Sequence, residues 1–238
     1  MELHVFQKGF NFSQDGPGNR LVYHLCGCSL QCPWCSNPEG LSKSGGTVYT
    51  VDQLVQEAIS AKPMFFSGGG VTLTGGEVTE QFSAARQLLL QLQENGIHTC
   101  IETNGTHPRL PELSQLTDHL IMDIKHYDDA VHRSVIGVSN RTILKNIHTL
   151  SQSRQVNLRI PLIGGFNTSA ADANAFAALL APLQNITVEL LRYHEYGKDK
   201  YSALGLTYPM TTQAQVSDEM FYEFSRILES TNIPIIRT

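Results

Sequence analysis

The sequence holds a single tryptophan, only five cysteines, and no apolar run approaching the roughly 20 residues that a membrane-spanning helix needs. Its 17 basic residues are scattered among 22 acidic ones for a formal net charge of −5, so no basic field is available for nucleic acid. The opening stretch MELHVFQKGFNF lacks the charged start and long apolar centre of a secretion signal, and a cytoplasmic protein is expected. Low-complexity linkers are missing too. One domain over residues 1–238 is therefore expected, with 41% hydrophobic residues to build a sizeable core. An odd cysteine count, with three falling inside eight residues, argues against a disulfide frame and for a metal or redox role.

What is present is a repeated alternation of extended and helical segments. Strands are predicted over residues 20–25, 70–74, 97–103, 119–125, 156–161 and 187–192. Helices are predicted over 51–61, 83–95, 140–151, 170–180 and 217–230. Thr50 with Gln53 three residues on has the capping-box pattern, and Gly96 falls where a left-handed residue ends a helix. About six such alternations imply parallel strands joined by right-handed helical crossovers, in an open sheet or a full or partial barrel. The polar motifs follow the predicted strand ends, where ligands of parallel α/β proteins bind: the cysteines, Gly75-Gly76-Glu77, Glu102-Thr103-Asn104-Gly105, Asp123 with Lys125, Arg159, and His194.

Three chemistries suit Cys28-Ser-Leu-Gln-Cys32-Pro-Trp-Cys35. A structural zinc takes four ligands, and only His24 or Cys26, on or beside the entering strand, stands ready as the fourth. A redox dithiol made of Cys32 and Cys35 leaves Cys28 and every downstream motif without a role. A [4Fe–4S] cluster held at three irons, with the fourth open to a small chelating ligand, uses all three thiolates.

Cys-x3-Cys-x2-Cys with Trp34 just before the last cysteine resembles the signature of radical S-adenosylmethionine enzymes. Further motifs agree in order: Asp15-Gly-Pro-Gly-Asn-Arg20, Ser67-Gly-Gly-Gly-Val-Thr-Leu-Thr-Gly-Gly-Glu77, Glu102-Thr-Asn-Gly105, Asp123-Ile-Lys125 and Leu191-Arg-Tyr-His-Glu-Tyr-Gly-Lys198. With them the chain is similar, over almost its whole length, to the glycyl-radical-enzyme activases. The resemblance implies an α/β protein with the radical SAM fold, a (β/α)6 partial TIM-type barrel of parallel strands. It implies one [4Fe–4S] cluster on Cys28, Cys32 and Cys35, reductive cleavage of S-adenosylmethionine, and abstraction of hydrogen from a glycine Cα of a partner glycyl radical enzyme.

The resemblance also assigns roles residue by residue. Trp34 and Ser36 would lie near the adenine, and Gly75, Gly76 and Glu77 would receive the methionine amino group. Asp123, Ile124, Lys125, Arg159 and His194 would contact the cofactor, Lys125 standing with the cysteines as catalytic. Glu102, Thr103 and Asp123 would hold a monovalent cation, although Glu102 replaces an aspartate of the family. Asp15 to Gly18 would lie near the docked substrate loop. The expected partners are the glycyl radical enzyme and a flavodoxin or ferredoxin as electron donor, the activase itself being a monomer. Ser36 and Asn37-Pro38-Glu39 depart toward activases of dehydratases and decarboxylases. Residues 36–50 contain no cysteine, which excludes a ferredoxin-like insertion with further fully ligated clusters, and Cys26 and Cys100 read as small buried residues. Two other functions stay open at this point: a radical S-adenosylmethionine enzyme acting on a small molecule, and a non-catalytic iron–sulfur carrier or sensor.

Overall fold

The computed structural model describes residues 1–12 and 14–236, in two compact units. Met1–Ser29 and Asn37–Ile121 form the first, while Leu30–Ser36 and the chain from Met122 onward form the second.

In the first unit, β1 (Glu2–Phe12) pairs antiparallel with β2 (Asn19–Leu25) on one side and β3 (Thr47–Thr50) on the other. The helix α1 (Val51–Ala61) follows at once, and its start carries the predicted capping box: Gln53 N–H donates to Thr50 Oγ1 at 3.2 Å, and Thr50 N–H to Gln53 Oε1 at 2.8 Å. Val51, Leu54, Val55 and Ala58 form the buried stripe that helical periodicity requires. The strand β4 (Gly70–Gly75) lies parallel to β2, α2 (Phe82–Glu94) crosses over, and β5 (Thr99–Thr103) lies parallel to β4. The strand order is β3-β1-β2-β4-β5. Gly70 to Thr74 are all buried, as befits a parallel strand covered on both faces. The short α3 (Leu110–Ser114) leads into β6 (His119–Asp123), on which the chain passes into the second unit.

The antiparallel edge of β1 and β3 is absent from the sequence reading. Leu3 and Val5 alternate into the core, but Phe10 and Phe12 are 47% and 68% exposed, so the period-two signal fades along β1. Between β2 and β3, residues 42–44 form an exposed turn. Its flanks are tied down by Gly27 N–H donating to Gly40 O at 2.8 Å and by the β1–β3 ladder, in which Val5 pairs with Thr47.

The second unit continues with α4 (Asp129–Ile136), whose N-terminus is capped by Asp128 accepting from Val131 N–H at 2.9 Å. Then come α5 (Arg141–Ser151), β7 (Val156–Leu162), α6 (Ala170–Leu180), β8 (Ile186–Arg192), α7 (Lys198–Ala203), α8 (Asp218–Glu229) and β9 (Ile235–Ile236). The strands β7, β8 and β9 run parallel. The helices α3, α4 and α7 and the short β9 are additions to the predicted elements. The strand β7 runs one residue past Pro161, so Arg159 stands at its centre rather than near its end.

Candidate active site

In the first unit the site grows from two adjacent strand ends. Leu25 of β2 pairs with Gly75 of β4, and each strand then turns into a motif, the cysteine loop after β2 and Gly75-Gly76-Glu77 after β4. The two turns interlock through the backbone: Gly76 N–H donates to Leu25 O at 2.8 Å and Glu77 N–H to Gly27 O at 2.6 Å. Cys28 N–H donates to Leu41 O at 3.3 Å. Gly75 has φ +126°, a conformation that side chains rarely adopt. A methyl on Gly76 would sit 2.3 Å from Gly27 O and 2.5 Å from Gly40 O, and neither is a flexible side-chain end. Gly76→Ala is therefore expected to force apart the segments on which Cys28 rests. We expect a loss of about 1–3 kcal/mol in stability, seen in a chemical melt of the apoprotein, and lower iron uptake on reconstitution. A wild-type melt would show that the turns can separate freely.

Glu77 is 1% exposed. Its Oε1 accepts from Thr79 N–H at 3.0 Å, Thr79 Oγ1 at 2.6 Å and Thr103 Oγ1 at 2.7 Å, and its Oε2 from Asn104 N–H at 2.7 Å. Burial pushes its pKa up, and the donated hydrogen bonds pull the other way. The carboxylate expected to meet an ammonium group is thus also the hub that fixes the end of β5. Asn104, itself buried, turns its Nδ2 to Cys28 Sγ at 3.7 Å. Glu102 accepts from Thr74 Oγ1 at 3.0 Å, while Thr103 bonds to Glu77. As neighbours on one strand they project to opposite faces, so these two side chains, paired in the cation expectation, are not brought together. Asp15 to Gly18 sit before β2. Arg20, buried, holds them by donating to Pro17 O at 3.1 Å and to Thr72 Oγ1 at 2.5 Å, and Thr72 Oγ1 donates to Asp15 O at 2.6 Å.

In the second unit, Cys32 and Cys35 lie in a loop whose backbone is seated on two elements. Gln31 N–H donates to Ile136 O at the end of α4 at 3.0 Å, and a methyl on Gly197 would lie 2.3 Å from Cys35 O and 3.2 Å from the Cα of Ser36. Trp34 is buried, its ring centroid 4.9 Å from that of Phe166. Burial pushes the Cys32 thiol up to about 11, and the positive charge of Lys125 draws it down in part. Lys125 Nζ donates to Asp123 Oδ2 at 2.8 Å, and its backbone oxygen accepts from Asn167 Nδ2 at 3.0 Å. Ile124 N–H donates to Arg159 O at 2.8 Å, tying β6 to β7 within this unit. Arg159 Nε donates to Glu189 Oε2 at 2.7 Å across the β7–β8 pair, in a largely buried ion pair. His194 accepts from Tyr196 N–H at 3.4 Å and stacks on that ring at 4.0 Å, and burial lowers its pKa.

Sequence reading missed Glu189 and Thr79, and it quoted Asn104 without assigning it a role. Glu189 lacks any local signal, because its bond to Arg159 spans 30 residues, whereas Thr79, two residues after Glu77, and Asn104, the polar member of a strand-end motif, were within reach.

None of the five cysteines forms a disulfide, and the three of the loop are partly exposed whereas Cys26 and Cys100 are fully buried. Among the described residues no three His, Cys, Asp or Glu groups are gathered around a point that would hold a single metal ion. Three thiols within eight residues of sequence suit a [4Fe–4S] cluster better than a single ion, and in the first unit an amide N–H is aimed at the Cys28 sulfur. These residues fit an iron–sulfur enzyme of α/β class with an incompletely ligated cluster.

Comparison with known proteins narrows the class. Residues 22–176 match the family model of the Radical SAM superfamily. Pyruvate formate-lyase 1-activating enzyme of Escherichia coli K12 is 32% identical over 222 residues, 90% of either chain. Pyruvate formate-lyase-activating enzyme of Staphylococcus epidermidis is 35% identical over 234 residues, 93% of either chain. Among solved structures, a domain of pyruvate-formate lyase-activating enzyme from Bacteroides vulgatus superposes with TM-score 0.58 at 28% identity, covering 71% of this chain and 98% of that one. A radical SAM methyltransferase from Sphaerobacter thermophilus, at 21% identity and TM-score 0.69 over 95% of this chain and 67% of that one, shares the fold alone. The chain belongs to the radical SAM superfamily and, within it, to the pyruvate formate-lyase activating enzymes. The expected α/β class with the partial-barrel radical SAM fold is borne out, and the cofactors are a [4Fe–4S] cluster and S-adenosylmethionine.

Proposed function

We propose that this chain activates a glycyl radical enzyme of the pyruvate formate-lyase kind, by abstracting hydrogen from a glycine Cα. One observation carries the reading: similarity to pyruvate formate-lyase activating enzymes runs through about nine-tenths of both chains rather than through the cysteine loop alone. When bound, the cluster and S-adenosylmethionine supply one electron and a carbon-centred radical strong enough for that abstraction. The protein supplies ligands, orientation and exclusion of water. Cys28, Cys32 and Cys35 would hold three irons. Gly75, Gly76 and Glu77 would present backbone carbonyls and negative charge to the amino group of the cofactor, and Lys125, steadied by Asp123, would meet its carboxylate. Arg159, held by Glu189, and His194 would bind along its length, and Trp34 and Ser36 would flank the adenine. No helix among the described residues is long and apolar enough to cross a membrane. In this reading the protein is a cytoplasmic monomer that receives electrons from a flavodoxin or ferredoxin.

The test is anaerobic: reconstitute the cluster, add S-adenosylmethionine and dithionite, and measure 5′-deoxyadenosine and the electron paramagnetic resonance spectrum with and without candidate glycyl radical enzymes. The expected result is deoxyadenosine with a glycyl radical doublet that depends on the partner. Deoxyadenosine that instead depends on a small molecule would make this an enzyme of another reaction, and a reducible cluster without deoxyadenosine would make it a carrier or sensor.

A further inference from the structure

We infer that Asn104 is a positioning residue that tunes the reduction of the cluster through a hydrogen bond to Cys28. The inference rests on the cluster reading above. Three features of the first unit carry it. Asn104 Nδ2 lies 3.7 Å from Cys28 Sγ, as a side-chain donor to a sulfur of the motif. Its amide orientation is set by chemistry rather than by choice: Oδ1 accepts from Thr106 N–H at 3.0 Å and Thr106 Oγ1 at 2.7 Å, so the NH2 group must be the end that faces the sulfur. Its backbone is pinned as well, since Asn104 N–H donates to the buried Glu77 carboxylate. The residue is 5% exposed, and little water competes for the bond.

A hydrogen bond brings partial positive charge to a thiolate ligand. Reduction adds one electron to the cluster and makes its sulfurs more negative, so an N–H donor favours the reduced form more than the oxidised one. The electron comes from outside, from a one-electron donor protein or from dithionite, and no bond forms or breaks. Asn104 therefore makes the cluster easier to reduce, in a reaction whose first requirement is that electron.

The experiment is a potentiometric titration of the reconstituted holoprotein without S-adenosylmethionine, followed by visible absorbance and electron paramagnetic resonance. Asn104→Ala should lower the reduction equilibrium constant about tenfold, a fall of about 59 mV for a one-electron couple. Asn104→Asp, which keeps an oxygen for Thr106 but turns another toward sulfur, should fall further. Wild-type potentials in both variants would overturn the inference. If Asn104→Ala takes up no cluster, Thr106→Val decides, because it loosens the amide while leaving it in place: a smaller fall supports the inference, and no change overturns it. A wild-type chain that binds no [4Fe–4S] cluster would instead sink the functional reading itself, so the two failures are distinguishable.

Discussion

Cys28→Ala, Cys32→Ala and Cys35→Ala should each lose the intact cluster and with it all radical chemistry, whereas Cys100→Ala should keep both. The asymmetry follows from where the spare thiols lie. Cys100 is fully buried in β5, and Cys26, also fully buried, lies so close under Gly46 that a methyl there would sit 2.9 Å from its sulfur. Burial raises the Cys26 thiol pKa, which makes a thiolate harder to form there. Neither can swing out to replace a lost ligand without unpacking its surroundings. Iron and sulfide per chain after anaerobic reconstitution give the readout: near zero is expected for the three loop variants and wild-type content for Cys100→Ala, whose loss of packing should cost only about 1 kcal/mol. Equal loss of iron at Cys100 would remove Cys28, Cys32 and Cys35 as the ligand set.

Glu77→Ala should destabilise the protein by about 3–5 kcal/mol, well beyond what the loss of a surface cofactor contact would do. Four donors converge on this carboxylate, two backbone N–H groups and the hydroxyls of Thr79 and Thr103, and the residue is almost fully buried. Removing it orphans all four, and the cost of unmet buried donors is the larger part of any hydrogen-bond energy. Glu77→Gln keeps one acceptor oxygen but sets an NH2 against other donors, so a loss of about 1–3 kcal/mol is expected. Chemical denaturation of the apoprotein measures both. An unchanged midpoint in Glu77→Ala would confine the residue to cofactor binding.

The parts of this protein that were legible in its sequence are those governed by short-range rules. The capping box at Thr50 and Gln53 was readable because both partners lie within one turn of helix, and the core strands because short segments rich in β-branched and apolar residues stand between turn and helix signals. The cysteine loop was readable because ligand chemistry demands that residue type at close spacing. The β1 edge was not, because only its first residues alternate into the core. Arg159, expected near a strand end, stands at the centre of β7, and its partner Glu189 lies 30 residues further along the chain in β8. The contact of Asn104 with Cys28 spans 76 residues and exists only once β2, β4 and β5 are aligned. Motif reading finds such residues; only the fold says what they touch.

The exposed turn at residues 42–44 has a consequence for how such a protein can grow. Both its flanks are already fastened, at Gly40 and at the β1–β3 ladder, so the entropy of closing the loop is largely met by the frame. Lengthening a surface loop adds only a slowly rising, logarithmic cost. Extra sequence spliced between residues 42 and 44 would hang outside the frame with the seat of Cys28 undisturbed. This turn is thus a natural graft point, where a fluorescent reporter, an affinity tag or a whole additional domain could be carried without redesigning the chemistry beneath it.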